Sequence, residues 1–233
     1  MALVSSDGWL FLLRWIHFLA GITWIGLLYY FNFVQTPFFA ETEPAVRSGA
    51  VQKLVPRALW WFRWGAMFTF FSGWLIILHR MGQGGFFRGS YGWAILLGGL
   101  LGSLMWANVW FVIWPKQKIV IQNAIDTAGG KPANPAAAPA GARAGLASRT
   151  NTLFSIPMLF YMGAASHLTG LPVPRSGAAF WIVALVVMGA CEANALFAQP
   201  GTTSTKPLAT VSGTLWAGFI LSAIFYVLFE AMR

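Results

Sequence analysis

The strongest constraint in this sequence is a series of long apolar runs of about 20 residues. A helix of that length crosses a hydrocarbon core of about 30 Å. The 233 residues are 58% hydrophobic and only 9% charged, whereas a soluble domain carries about 25% charged residues. The sequence therefore predicts an all-α integral membrane protein with one transmembrane domain over residues 1–233.

Hydropathy predicts a bundle of about six transmembrane helices. The segment EPAVRSGAVQKLVP, which follows the first run, is consistent with a short interfacial helix. Residues 128–148 are rich in Ala, Pro and Gly without periodicity, so we expect a flexible cytoplasmic loop there. The predicted spans lie near residues 9–33, 58–79, 92–114, 152–170, 177–198 and 208–232.

The basic residues are divided unequally between the two sides of the predicted bundle. Lys and Arg accumulate in cytoplasmic loops because they resist translocation. The loops after spans one, three and five hold nine: Arg47, Lys53, Arg57, Lys116, Lys118, Lys131, Arg143, Arg149 and Lys206. The other side holds four: Arg80, Arg88, Arg175 and Arg233. We therefore expect both termini to be periplasmic, in a multi-pass protein of a bacterial inner (cytoplasmic) membrane.

The composition also limits the kinds of partner and cofactor. The formal net charge of +9 follows from the loop asymmetry, so we expect lipid and no nucleic acid as a partner. The single Cys191 excludes an internal disulfide, and the chain has no C-x-x-C-H sequence for attaching a c-type haem. No phosphate-binding loop, nucleophile elbow or dinucleotide fingerprint is present, so the catalytic residues are unknown.

Two of the three histidines share a helix face with glycine. Arg14, His17 and Gly21 form one stripe on span one, and Gly163 and His167 form another on span four. Missing side chains beside an imidazole leave room for a flat porphyrin, with iron between two imidazoles. The pattern suggests a b-type haem with His17 and His167 as iron ligands and Arg14 as the partner of its propionates.

Each of these features also has a simpler interpretation. Glycine beside a polar residue is common in membrane helices because it permits close packing. Arg14 is near the predicted interface and can extend toward water. His79 is a weaker ligand candidate than the other two, because a histidine at a helix end beside Arg80 is more often a solvated interfacial residue.

A second polar group is predicted near the cytoplasmic side. Arg63, Asn108 and Glu192 lie at one depth, about five or six residues inside spans two, three and five. A buried carboxylate is costly unless it is paired, so we expect an Arg63–Glu192 ion pair with Asn108 nearby. A proton-relay role for Glu192 is the alternative.

Four stretches together resemble a known family. They are LLRWIHFLAGITWIG (12–26), LWWFRWGAMFTFFSGWLIIL (59–78), GSLMWANVWFVIWPKQKIV (102–120) and RTNTLFSIPMLFYMGAASHL (149–168). In this order they resemble the N-terminal membrane domain of bacterial membrane-bound urate oxidases (urate hydroxylases). The resemblance covers most of residues 9–170, and spans five and six match less distinctly. In that family a C-terminal cytochrome c domain usually follows, and it is absent from this sequence.

The resemblance transfers only some of the family's residues. His17, His167, Arg14 and Asn108 match, whereas the family pattern implies a histidine where this chain has Trp60 and a glutamate where it has Gly65. These two differences weaken the expectation of urate chemistry more than that of a bound cofactor. If the chain is an enzyme, the resemblance implies a membrane oxidoreductase of the urate hydroxylase type served by a separate cytochrome.

The main hypothesis is a protein that binds haem b and transfers electrons to or from a periplasmic cytochrome c. The alternative, from a different class, is a cofactor-free accessory or structural subunit of a larger respiratory or photosynthetic membrane complex. The 13 Trp and 20 Phe support it, since they offer large surfaces to lipid or to a partner.

Overall fold

The structure is a computed structural model that describes residues 2–233, and the described chain is helical without a strand. The predicted all-α class is therefore confirmed. Two π-helical segments, Tyr30–Gln35 and Asn108–Ile113, join successive α-helices into longer rods. The α-helices are α1 (Ser6–Tyr29), α2 (Thr36–Glu41), α3 (Pro44–Gly82), α4 (Ser90–Ala107), α5 (Trp114–Ala128), α6 (Ala137–His167), α7 (Gly177–Phe197) and α8 (Val211–Ala231).

Five helical rods are long and apolar enough to cross a membrane: Ser6–Glu41, Pro44–Gly82, Ser90–Ala128, Gly177–Phe197 and Val211–Ala231. Large apolar side chains such as Ile182 and Trp216 are exposed on their outer faces, as expected of surfaces that meet lipid. The membrane class is thus supported by length and composition. The sixth span remains a prediction, because α6 is not among these five.

Helix α6 is the centre of the bundle, and its position explains its weaker hydropathy. It contacts α1, α4, α5, α7 and α8. Its middle buries polar residues that bond to neighbouring helices or to its own backbone, namely Thr150, Asn151, Thr152 and Ser155. A helix surrounded by protein satisfies such groups internally, so it does not need the continuous apolar surface of a helix that faces lipid.

Two segments differ from the expected loops. Residues 137–148 form the first turns of α6, although their composition predicted a flexible loop. Alanine is the best helix former, and Pro139 lies in the first turn, where its missing N–H costs nothing. The segment 43–56 is likewise not a separate interfacial helix, because α3 runs through it without a break and contains Pro56.

Helices α1 and α3 form the closest pair in the part of the fold that carries His17. A Cβ built on Gly65 lies 3.1 Å from the backbone nitrogen of Trp24 and 3.2 Å from the carbonyl oxygen of Ala20. Glycine at this position therefore lets the two backbones approach. The neighbouring Trp24 and Phe62 side chains are almost fully buried, so the pair is held by a continuous apolar core.

Both ends of the described chain lie at one end of the bundle. The Ser6 hydroxyl lies 3.5 Å from Nε2 of His79, at the end of α3. The backbone N–H of Arg175, in the α6–α7 loop, donates to the carbonyl of Met232 at 2.7 Å. That this end of the bundle lies on the periplasmic side of the membrane stays a prediction.

Candidate functional site

His17 is fixed by α3. Its Nδ1 lies 3.0 Å from the carbonyl oxygen of Thr69 and 3.2 Å from the hydroxyl of Ser72. A Cβ on Gly73 would lie 2.9 Å from the ring carbon Cε1, so glycine there makes room for the imidazole. Because a carbonyl only accepts, the bond to Thr69 puts the proton on Nδ1 and leaves Nε2 as the lone-pair nitrogen.

The other predicted residues of the α1 stripe have different surroundings. Arg14 is exposed, and within residues 2–233 it makes no hydrogen bond or ion pair. Gly21 faces α3, where a Cβ would lie 3.9 Å from Cγ2 of Thr69, an ordinary packing distance. The α1 glycine therefore packs against a neighbouring helix, while Arg14 is available for a partner.

His167 lies on a different helix, at the C-terminal end of α6, whereas His17 lies in the first half of α1. It is the last residue of α6 and is exposed, and nothing else in the described chain bonds to its ring. Gly163, one turn earlier, is also exposed, and a Cβ there would find no atom within 4 Å. The space beside this histidine is thus open, unlike that beside Gly21.

The structure puts His17 and His167 on the same side of the α1–α6 crossing without joining them. The hydroxyls of Tyr29 and Ser155 hydrogen-bond at 2.9 Å, and Asn32 donates to Ser148 at 2.8 Å, so the helices run antiparallel there. Each histidine lies twelve residues from the Tyr29–Ser155 bond (29 − 17 and 167 − 155) toward the end that holds the chain termini. No contact between the two rings occurs among the described residues.

His79 is part of a polar cluster at the end of α3. The side-chain amide of Gln83 lies 3.2 Å from its Nε2, and the hydroxyl of Ser6 lies 3.5 Å from the same atom. The residue is exposed. Its ring therefore links the start of α1 to the end of α3, and this structural role explains the histidine without a bound ligand.

The second polar group is assembled differently from the prediction. Asn108 donates through Nδ2 to Glu192 and to Asn151, at 3.0 Å in both cases, and Asn151 donates to the carbonyl of Met105 at 2.9 Å. The Arg63–Glu192 ion pair is wrong: the salt bridges within residues 2–233 do not include it. Sequence reasoning missed Asn151, although an asparagine directly before the predicted span 152–170 was a usable signal.

Arg63 faces aromatic rings instead. Its guanidinium carbon lies 3.9 Å from the ring centre of Trp114 and 5.3 Å from that of Trp110. A delocalised guanidinium is weakly hydrated and stacks on indole faces, so a cation–π contact replaces the expected carboxylate. The proton-relay role of Glu192 remains untested by this geometry.

The urate oxidase N-terminal family model matches residues 76–226, which is more than half of the chain. The chain belongs to that family. No curated protein and no solved structure matches it. The resemblance suggested by the four sequence stretches is thereby confirmed at the level of the family.

The match to the urate oxidase N-terminal family covers a different part of the chain from the one expected. It extends through α7 and most of α8, the spans expected to match less distinctly. It includes His79 and His167 as well as the Asn108–Glu192 group. His17 and Arg14 lie outside the matched residues, as do Trp60 and Gly65, so the family match does not bear on these four positions.

Metal sites of the usual kind are not visible. Among residues 2–233 no group of three or more His, Cys, Asp or Glu side chains is arranged to hold a metal ion.

Proposed function

We propose that the protein binds haem b in a bacterial inner membrane and transfers electrons to or from a periplasmic cytochrome c. The observation that carries this proposal is the orientation of His17. Metal-ligating histidines commonly donate one ring N–H to a backbone carbonyl, which fixes the tautomer and leaves the other nitrogen for the metal. The 3.0 Å contact from Nδ1 of His17 to the Thr69 carbonyl has this form.

The remaining residues have roles that fit this assignment. His167 would be the second histidine to hold the haem, since its ring has no other partner in the described chain and lies toward the same end of the bundle. Arg14, exposed and unpaired, would bind a propionate. The open space beside Gly163 would receive the edge of a flat ring, whereas Gly21 contributes by letting α1 pack on α3.

A bound haem would supply reversible one-electron chemistry at its iron. What the chain contributes is a fixed ligand orientation and a cationic side chain near the membrane surface. A site close to the periplasmic face would be accessible to a docked soluble carrier. His79, the weaker ligand candidate, bonds to Gln83 and Ser6, so we assign it a structural role and no iron ligation.

The decisive experiment is the reduced-minus-oxidised visible spectrum of the detergent-purified protein from cells supplied with haem precursor, followed by pyridine extraction. A sharp α-band with extractable b haem is the expected result. His17→Ala and His167→Ala should each lose most of the haem, and His79→Ala, the matched control, should retain it. If the two variants fold and keep full haem content, the site assignment is wrong.

Family membership adds a related test of activity. If the chain is an oxidoreductase of the urate hydroxylase type, membranes that contain it should reduce added cytochrome c in a urate-dependent manner. Membranes with the His17→Ala variant provide the control. Equal rates in both would show that the measured activity does not depend on the proposed haem site.

The packing of Gly21 favours a second candidate, a cofactor-free accessory subunit of a larger membrane complex. A glycine already in contact distance of Thr69 is explained by helix packing alone. The outer face of α7 is also apolar and exposed, with Ile182, Leu185 and Val186 among its residues. Co-purification with a large complex and a flat visible spectrum would favour this function over haem binding.

A further inference from the structure

A cavity of about 350 Å³ lies at the end of the bundle opposite the histidines. Its walls come from α3, from the start of α6, from both π-helical segments and from the loop of residues 200–209. Ligand pockets commonly measure about 300–1,000 Å³, so this one suits a compact molecule. Short π-helical segments occur frequently at functional sites, and here two of them border the same space.

Arg149 gives the cavity an unbalanced positive charge. The residue is half-buried on α6, and its Nη1 is buried without a hydrogen-bond partner. No ion pair of Arg149 occurs within the described chain. The cavity lining, as far as residues 2–233 show it, contains no Asp or Glu. A guanidinium taken partly out of water without a partner is costly, so an anion bound beside it would be stabilised.

Amide groups line the same cavity. Oε1 of Gln35 is buried without a partner, and Gln117 also lines the cavity. Asn32 uses its amide nitrogen to bond the Leu28 carbonyl and the Ser148 hydroxyl. Gln35 and Gln117 therefore supply further donors and acceptors to the cavity that Arg149 lines.

Much of the remaining wall is apolar. Leu59 and Phe62 are buried core residues of α3 that line the cavity, and Ile113 adds a third apolar side chain from the second π-helical segment. An ion as small as chloride would leave these surfaces without a partner. A molecule with a charged end and an apolar body would contact both parts of the wall.

We propose that this cavity binds a carboxylate or phosphate group carried on a small apolar body, with Arg149 as its charge partner. A guanidinium binds the oxygens of either group through two parallel hydrogen bonds. The group belongs to a free organic anion or to the headgroup of an anionic lipid, since the two share this chemistry. The site is separate from the proposed haem site and does not depend on it.

The test measures binding of benzoate and phenyl phosphate to the full-length purified protein by equilibrium dialysis, with empty micelles as the blank. Benzamide, which has nearly the shape of benzoate but no charge, is the ligand control. Arg149→Gln should weaken binding of both anions by about tenfold or more, the size expected from losing a charge-assisted bond. Lys53→Gln, which removes an exposed charge outside the cavity lining, should change it by less than about twofold.

A second variant leaves the charge in place. Gly145 lines the cavity, and a Cβ there would find no atom within 4 Å, so Gly145→Leu should fold and occupy part of the volume. Benzoate binding should fall in this variant too. The proposal is overturned if benzamide binds as tightly as benzoate, if both cavity variants bind like wild type, or if neither anion nor lipid binds at all.

A separate lipid-binding experiment distinguishes a free organic anion from an anionic lipid headgroup. Phosphatidylglycerol and phosphatidylcholine are added separately to delipidated protein, and the thermal unfolding midpoint is measured. A rise with phosphatidylglycerol only, which disappears in Arg149→Gln, assigns the site to a lipid headgroup. Arg149-dependent binding of benzoate without such a rise assigns it to a free organic anion, and either result supports the proposed chemistry.

Discussion

Asn108 donates a hydrogen bond to the carboxylate of Glu192 at 3.0 Å, and this bond connects the second π-helical segment to α7. The same amide nitrogen bonds Asn151 on the central helix, so one side chain links three helices. Asn108 is almost fully buried. In a membrane interior each of these groups would otherwise lack a partner, and the residue therefore acts as a junction of the bundle.

The first prediction concerns this junction. Asn108→Ala should lower the free energy of unfolding by about 1–2 kcal/mol, because two acceptors lose their donor in a buried site. Glu192→Gln should have a much smaller effect, since the glutamine oxygen still accepts from Asn108. The midpoint of thermal unfolding can be followed with a thiol-reactive dye, because Cys191 is the only cysteine and is partly buried.

The comparison between the two variants identifies the role of the carboxylate. If Glu192→Gln proved as destabilising as Asn108→Ala, the negative charge itself would be needed for stability, contrary to the bonding described. If both variants fold and Glu192→Gln alone abolishes an electron-transfer activity, the proton-relay role would gain support that the geometry does not supply.

The second prediction concerns Arg63. A double-mutant cycle between Arg63→Met and Trp114→Leu should show a coupling energy of about 0.5–2 kcal/mol, because the guanidinium lies on the indole face. The matched cycle between Arg63→Met and Glu192→Gln should show almost none. Unfolding midpoints of the single and double variants give both values, and a large Arg63–Glu192 coupling would contradict the aromatic arrangement.

The sequence predicted the helical class and the buried polar residues more successfully than it predicted which of these residues contact one another. Long apolar runs require helices in a bilayer, because backbone groups must bond within the segment. Pairing depends on the rotation of each helix about its axis, which a single sequence does not reveal. Arg63 and Glu192 lie at similar predicted depths, yet Arg63 points toward Trp114 and Glu192 toward Asn108.

The same limit explains what was missed around α6. Hydropathy treats Thr150, Asn151 and Ser155 as unfavourable in a span. In the fold Asn151 and Ser155 bond to neighbouring helices at the centre of the bundle, and Thr150 bonds the Leu146 carbonyl of its own helix. Residues 137–148 were predicted to be a loop from their Ala, Pro and Gly content, whereas their alanines favour helix and they form the first turns of α6. The cavity beside Arg149 had no sequence signal beyond an arginine near a span end.

The third prediction concerns the α1–α3 contact. Gly65→Ala should destabilise the protein by about 1–3 kcal/mol, since the added carbon would lie close to the backbone of Trp24 and force the helices apart. Gly189→Ala is the matched control: this residue is exposed within α7 with no atom near a Cβ. Its replacement should be neutral or stabilising by up to about 1 kcal/mol, because alanine favours helix.

This contact also bears on the residue that the family resemblance implies. Gly65→Glu should be still more disruptive than Gly65→Ala, because a longer side chain must leave the same narrow interface. Unfolding midpoints of the three variants provide the test. A stable Gly65→Glu protein would show that α1 and α3 can separate, and that the tight packing described here is only one arrangement of the pair.

The fourth prediction concerns the membrane topology. If α6 crosses the bilayer, the α5–α6 and α6–α7 loops lie on opposite sides. In a Cys191→Ala background, Val173→Cys should react with an impermeant maleimide in intact spheroplasts, and Ala133→Cys should react only after permeabilisation. Both residues are exposed in these loops, and the parent protein without cysteine is the blank.

Labelling of both cysteines from the same side would show that only the five apolar rods cross the membrane and that α6 is a core helix that does not span it. The reverse pattern would keep six spans and put the proposed haem end in the cytoplasm, where a periplasmic cytochrome c cannot reach it.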